Sequence, residues 1–253
     1  MISLIMGDIM KEPGGGNSRT FGSHFRNSIY LEKFSYEALI SPFLGNKPST
    51  LFDIGARFGE STNWFLTNFE IGHAELFEPN PFLEINVMPV QNLTYTIHRF
   101  GLSDVCGIRD LYVHQDAGMS SYESLNAKSN DSISYQEKAN VHIKPVDTRR
   151  LDCLELGKPD IVKIDVQSHE ESVLLGGLET LKEARVILIE VNLYDLYSRN
   201  TTIGRVEKLL PNHIVYSIPH LSQNPFNLRT DWVELFFIRK DLSNIDFSKS
   251  NMA

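Results

Sequence analysis

Short apolar runs recur through the middle of the chain, several ending on an acid or an amide, with stretches of helical apolar spacing between them. Thr50 to Ile54, His73 to Phe77, Thr94 to Phe100, Ile161 to Ile164 and Arg185 to Val191 are read as strands. Alternation of this kind predicts an α/β fold, a sheet with parallel strands covered by helices on both faces. The runs VKID and RVILIEVN have the character of buried central strands. Both deliver polar groups at their carboxyl ends, where open α/β sheets bind ligands.

The flanks are less regular. Residues 1 to 28 contain Pro13, three successive glycines and a polar stretch, and are expected to be a flexible arm. Residues 30 to 44 carry apolar side chains near helical spacing up to Pro42, which predicts a helix leading into the core. Between residues 104 and 147 the pattern changes: RDLYVH and NVHIKPV are predicted strands around a polar segment, Gln115 to Lys138. That segment is too long for an ordinary connection and is expected to be a lid or specificity loop, or else an unconstrained surface insertion. NHIVYSI and DWVELFFIRK are predicted as two further strands, antiparallel neighbours at one sheet edge, before a polar tail from Ser243. Residues 29 to 242 are thus expected to form one domain.

Composition narrows the function. The 253 residues are 42% hydrophobic, enough for one covered core, and the net charge of −8 predicts no general attraction to nucleic acid or to an anionic membrane. Cys106 and Cys153 lie outside any metal-binding spacing, so reduced thiols in the cytoplasm are expected. The opening MISLIMGDIMKEPGGG has too short an apolar run, with an acid inside it, for a signal peptide or a membrane span.

The segment LFDIGARFGES, residues 51 to 61, carries the candidate chemistry. A strand ends near Asp53, and Gly55 and Gly59 bracket a turn before a helical stretch, so the backbone can turn sharply and approach a ligand. A dinucleotide site favours GxGxxG, which rests a pyrophosphate on backbone amides. Here the spacing is GxxxG. Asp53 would oppose a pyrophosphate but suits the ammonium end of a methionine moiety; its plainer role is to cap the turn. Glu78, ending the next strand, can accept both hydrogen bonds of a ribose diol, and Asp104 in GLSD can accept from an adenine amino group or serve as a turn residue.

Three separated segments resemble the FkbM family of methyltransferases in motif, order and spacing, across roughly residues 48 to 195: LFDIGARFGES, then FEPNP with GLSD downstream, then PDIVKIDVQSHEESVLLGGLETLKEARVILIEVN. The resemblance implies a Rossmann-like, seven-stranded class I methyltransferase sheet, mostly parallel with a C-terminal antiparallel strand. It also implies S-adenosyl-L-methionine as cofactor and an oxygen acceptor, often a hydroxyl on a sugar, glycan or natural product. The expected cofactor contacts are Asp53, Gly55, Ala56, Gly59, Glu78, Asp104 and Asp165. There is one departure. The family usually has Glu-Gly after KIDV, whereas this chain has Gln167 and Ser168, so either the acceptor preference has shifted or catalysis has been lost with the fold kept.

Methyl transfer to a hydroxyl needs alignment and a proton acceptor. His169, one short turn after Asp165, is the expected general base, with Asp165 orienting it or the acceptor. Asp165, Glu190 and Asn192 would also suit magnesium, but capping is the reading adopted and no metal is expected. Tyr194, Tyr197, His213, His220 and Trp232 are read as core or as walls of an acceptor pocket. The competing classes are a noncatalytic nucleoside-binding or scaffolding protein and, less favoured, an NAD-dependent oxidoreductase.

Overall fold

The computed structural model describes residues 36–128, 141–223 and 227–244. Its strands, in chain order, are β1 (Ser49–Ile54), β2 (Ile71–Phe77), β3 (Thr94–His98), β4 (Gly101–Leu102), β5 (Gly107–Val113), β6 (His142–Arg149), β7 (Ile161–Ile164), β8 (Val186–Asn192), β9 (His213–Gln223) and β10 (Thr230–Arg239). The helices are α1 (Tyr36–Ile40), α2 (Glu60–Asn68), α3 (Glu170–Gly176), α4 (Leu178–Leu181) and α5 (Ile203–Leu209).

Seven strands form one sheet in the order β3-β2-β1-β7-β8-β10-β9. β3, β2, β1, β7 and β8 pair in parallel, while β10 runs antiparallel to both β8 and β9. This is the mostly parallel sheet with a C-terminal antiparallel strand that the family resemblance implies. The central strands are apolar on both faces because both are covered. Leu51, Ala74, Ile161 and Val186 pack with Phe65 and Leu66 of α2. Phe52, Val162 and Ile187 pack with Val173 and Leu174 of α3 and Val206 of α5. Among the described residues no helix is long and apolar enough to cross a membrane.

The predicted elements hold with three adjustments. The run Thr94 to Phe100 is cut at His98, and the chain turns away so that β4 joins a second sheet, β4-β6-β5. The runs RDLYVH and NVHIKPV are its β5 and β6, which pair with one another rather than with the main sheet. The helix expected over residues 30 to 44 is described from Tyr36; α1 passes into a 3-10 turn, Ser41–Phe43, which contains Pro42. The proposed arm, residues 30 to 35, residues 129 to 138 of the polar segment and the tail from residue 245 lie outside the described residues.

Candidate functional site

Three strand ends meet at the glycine turn. The Gly55 amide donates to the Phe77 carbonyl at 2.9 Å, and the Asp165 amide donates to the Ile54 carbonyl at 3.0 Å. Gly55 has φ +87, and a Cβ there would sit 1.9 Å from the Asp165 carbonyl oxygen, so no side chain fits. Arg57 follows in the left-handed region, and Gly59 caps α2. Glu78 clamps the turn: one carboxylate oxygen accepts the Arg57 amide at 2.9 Å, the other the Asn80 amide at 2.8 Å. Burial pushes the Glu78 pKa up, and those amides oppose the shift. Asp53 lies beneath the turn. Its Oδ2 accepts the Thr62 hydroxyl of α2 at 2.6 Å, and burial raises its pKa against the opposing effects of Thr62 and Lys163.

Above these strand ends lies a cavity of about 450 Å³. Gly55 and Glu78 line it near the glycine turn, and Asp165, Gln167 and Glu190 line it at the ends of β7 and β8. Tyr194 and Trp232 form an aromatic wall beyond them. The residues from Asp116 to Tyr122 form its roof, including a 3-10 turn at Ala117–Met119. Three contacts fasten this roof. Arg57 Nη2 lies 3.8 Å from Asp116, the Ser121 hydroxyl donates to the Gln167 carbonyl at 2.5 Å, and the Tyr197 hydroxyl donates to the Met119 carbonyl at 3.1 Å. The described part of the polar segment is therefore a wall of the cavity.

Gln167 organises the acidic end. Its backbone is left-handed, φ +52, with Ser168 following at φ +73. The amide nitrogen donates to Asp165 Oδ1 at 2.8 Å and to Glu190 Oε1 at 3.2 Å, while its oxygen accepts the Tyr197 hydroxyl at 3.1 Å. The carboxylates accept, so they fix which end of the amide faces them. Lys163 Nζ lies 3.4 Å from Asp165 Oδ2. Burial opposes the Lys163 charge, but Asp165 and Glu234 outweigh it and hold the ammonium protonated. Glu190 is pushed well above the usual carboxylate range by burial and then by the Asp165 charge.

His169 sits apart from the cavity, 2% exposed. Its Nε2 is 3.1 Å from the Ser103 hydroxyl, which itself donates to Asp104, and its Nδ1 is 3.5 Å from Glu123. Asp165 makes its contacts with Gln167 and Lys163 instead. Asp104 also binds Arg109, at 2.9 Å. Of the sequence-derived site residues, the structure brings Gly55, Glu78 and Asp165 together on the cavity wall; Asp53, Ala56, Gly59, Asp104 and His169 are outside its lining. Among the aromatic candidates, Tyr194 and Trp232 reach the cavity, and His213 is buried with Nε2 on the Ala184 carbonyl. In the sequence Gln167 stands out only beside Ser168 after KIDV, and Arg57 and Tyr122 carry no signal.

Strand order and the cavity at the carboxyl ends of the strands are those of an open, mostly parallel α/β sheet that binds a ligand at its strand ends. More narrowly, residues 53–217 match the Methyltransferase FkbM domain, and the chain belongs to that family. The 2-O-methyltransferase NoeI of Sinorhizobium fredii (strain NBRC 101917 / NGR234) is 28% identical over 174 residues, 64% of this chain and 71% of that protein. Among solved structures, the methyltransferase FkbM from Methylobacillus flagellatus KT shares 15% identity at a TM-score of 0.46; 88% of this chain is covered but 55% of that one. This chain thus spans little more than half the length of that neighbour. The magnesium protoporphyrin IX methyltransferase of Synechocystis PCC 6803, solved with bound SAM, shares 11% identity at a TM-score of 0.41, covering 91% of this chain and 88% of that one. At such identities the likeness is one of fold alone.

Proposed function

We propose that the chain is an S-adenosylmethionine-dependent O-methyltransferase acting on a hydroxyl of a saccharide, glycan or natural product. The observation that carries this reading is the cavity, which joins Glu78 at the glycine turn to Asp165, Gln167 and Glu190 at the neighbouring strand ends. Its volume of about 450 Å³ lies within the range of small-molecule sites. The residues fit the cofactor. Each Glu78 oxygen keeps a lone pair after accepting an amide and can take a ribose hydroxyl. Asp165 would take the ammonium end, while Asp53 supports the turn from below. The cofactor supplies a methyl carbon already activated by its sulfonium. The oxygen acceptor is supported by the name of the relative NoeI.

The chain's own task is to hold the hydroxyl and take its proton. Glu190 is the proposed proton acceptor, since it lines the cavity and burial raises its basicity. Trp232 offers an apolar face to a sugar ring, and Tyr194, with the Arg229 guanidinium 3.9 Å over its ring, closes the wall beside it. His169 is proposed as a positioning residue that fixes the turn after β7 through Ser103. Cys106 and Cys153, both exposed free thiols, fit a reducing cytoplasm.

Calorimetry with S-adenosylmethionine and S-adenosylhomocysteine tests the reading, and no detectable binding of either sinks it. Glu190→Gln is expected to keep the affinity for S-adenosylhomocysteine and to lower methyl transfer about a hundredfold or more. An equal loss in His169→Asn would return the proton acceptor to His169. The Gln167–Ser168 departure supports a second reading, a cofactor-binding protein without turnover, in which both ligands bind and no hydroxylated acceptor is methylated.

A further inference from the structure

Two successive residues of the turn after β7 each hold one side chain of β8. Gln167 donates to Glu190 Oε1 at 3.2 Å, and Ser168 receives the side-chain amide of Asn192 at 3.2 Å. Glu190 and Asn192 are two residues apart on the strand, and both line the cavity. Glu190 is the proposed proton acceptor. Asn192 has no role in the reading above.

A chain of hydrogen bonds orients the Asn192 amide. Asn200 Nδ2 donates to the Tyr194 carbonyl at 2.7 Å and to Asp195 Oδ1 at 3.1 Å, so Asn200 turns its own Oδ1 to Ser168. The Ser168 hydroxyl has one proton and donates it there, at 3.0 Å. Its oxygen is then an acceptor, and Asn192 presents Nδ2 to it. Asn192 Oδ1 takes no hydrogen bond from the described residues, and it is not sealed from the cavity that Asn192 lines. Glu190 is held in the same way: Oε1 accepts from Gln167, and Oε2 remains for a further donor.

The wall therefore carries two acceptors side by side, and the single proton of one hydroxyl cannot serve both. Same-face neighbours on a strand lie about 6.6 Å apart. Hydroxyls on adjacent carbons bridge such an interval when each donates over about 2.8 Å. Trp232 stands opposite Asn192 in the register of β10 on β8, on the same face of the sheet, so a ring resting on the indole turns its edge to both acceptors. We infer that Asn192 is a specificity-determining residue that selects a vicinal diol, its Oδ1 accepting the hydroxyl next to the one methylated. The inference rests on the methyltransferase reading above. In the transfer, the reacting hydroxyl yields its proton to Glu190 while its oxygen bonds the methyl carbon, whose bond to sulfur breaks to leave a neutral thioether. The neighbouring hydroxyl keeps its proton and holds the ring in place.

Asn192→Leu in the full chain tests this, because leucine removes the acceptor oxygen and keeps a side chain of similar size. The probes are cis-cyclohexane-1,2-diol and cyclohexanol, which differ only in the neighbouring hydroxyl. Ligand-observed NMR gives their affinities for the protein saturated with S-adenosylhomocysteine, and methyl-transfer assays give kcat/KM. Wild type is expected to favour the diol about tenfold by both measures, and Asn192→Leu to lower that preference to about twofold or less. A diol preference that stays at the wild-type value in Asn192→Leu overturns the inference. If that variant does not fold, Ser168→Ala, which frees the Asn192 amide, is read in the same way. A wild-type protein that takes cyclohexanol as readily as the diol, or binds neither, also overturns it and leaves the cofactor reading standing. Failure to bind S-adenosylhomocysteine overturns both readings together.

Discussion

Glu170 follows His169 at the start of α3 and is 1% exposed. One of its carboxylate oxygens accepts the Ser168 amide at 2.9 Å. Burial, with the Asp165 charge adding to it, pushes the Glu170 pKa up from 4.5 to about 7. The folded state therefore binds this proton more tightly than the unfolded chain does. The group's stabilising contribution is complete below about pH 4.5 and is lost as pH rises through about 7. Glu170→Gln keeps the capping oxygen without the charge. It is expected to remove a loss of order 2 kcal/mol between about pH 5 and pH 8, read by urea denaturation at both pH values. A variant with the wild-type pH dependence would show that Glu170 is not the group responsible. At this scale the sequence was informative about which polar residues stand at strand ends, Asp165 and Glu190 among them. Their environments were not legible, because desolvation depends on what packs over a residue from elsewhere in the chain.

The turn from Gln167 to His169 opens with two successive left-handed residues, neither of them glycine. Ser168 sits at φ +73, a left-handed conformation that costs a residue other than glycine about 1–2 kcal/mol. Its hydroxyl donates to Asn200 Oδ1 at 3.0 Å and accepts from Asn192 Nδ2 at 3.2 Å. Two buried hydrogen bonds, each worth about 1 kcal/mol net, offset that strain. The expected order of stability is serine first, Ser168→Gly lower by about 1 kcal/mol and Ser168→Ala lower by about 2 kcal/mol, since alanine keeps the strain and loses both bonds. Chemical denaturation gives the ranking, and a glycine variant more stable than wild type would show that strain outweighs the bonds. Gln167 has a matching logic. A glutamate there would place a third carboxylate against Asp165 and Glu190, whereas the amide donates to both. The glycine turn after β1 was legible from its spacing alone. The function of the 167–168 turn was not, since it is defined by Asn192, Tyr197 and Asn200 on other elements.

Across the whole molecule, the charge of the cavity bears on which acceptors can enter. Among its described lining residues Glu78, Asp116, Asp165, Glu190 and Asp231 are acidic, and Arg57 is basic. Arg57, Lys163 and Arg229 pair with Asp116, Asp165 and Asp231, so the described wall offers an acceptor bearing phosphates no cation outside those pairs. A neutral glycoside is therefore expected to exceed the corresponding nucleoside-diphosphate sugar in kcat/KM by about tenfold or more, with the gap narrowing as ionic strength rises. Methyl-transfer assays on paired acceptors would decide this, and a preference for the diphosphate would count against the assignment of the acidic end to the acceptor. The sequence by itself determined the alternation of strands and helices, the glycine turn, the family and the polar residues at the strand ends, because these depend on local periodicity and spacing. Only the tertiary structure decided which of those residues share a space. Asp53 and His169, prominent in the sequence, are outside the cavity lining, while Gln167 and Arg57 are part of it. The physical reason is that the directions of these side chains are set by contacts between distant segments, such as Ser121 on the Gln167 carbonyl and Thr62 on Asp53.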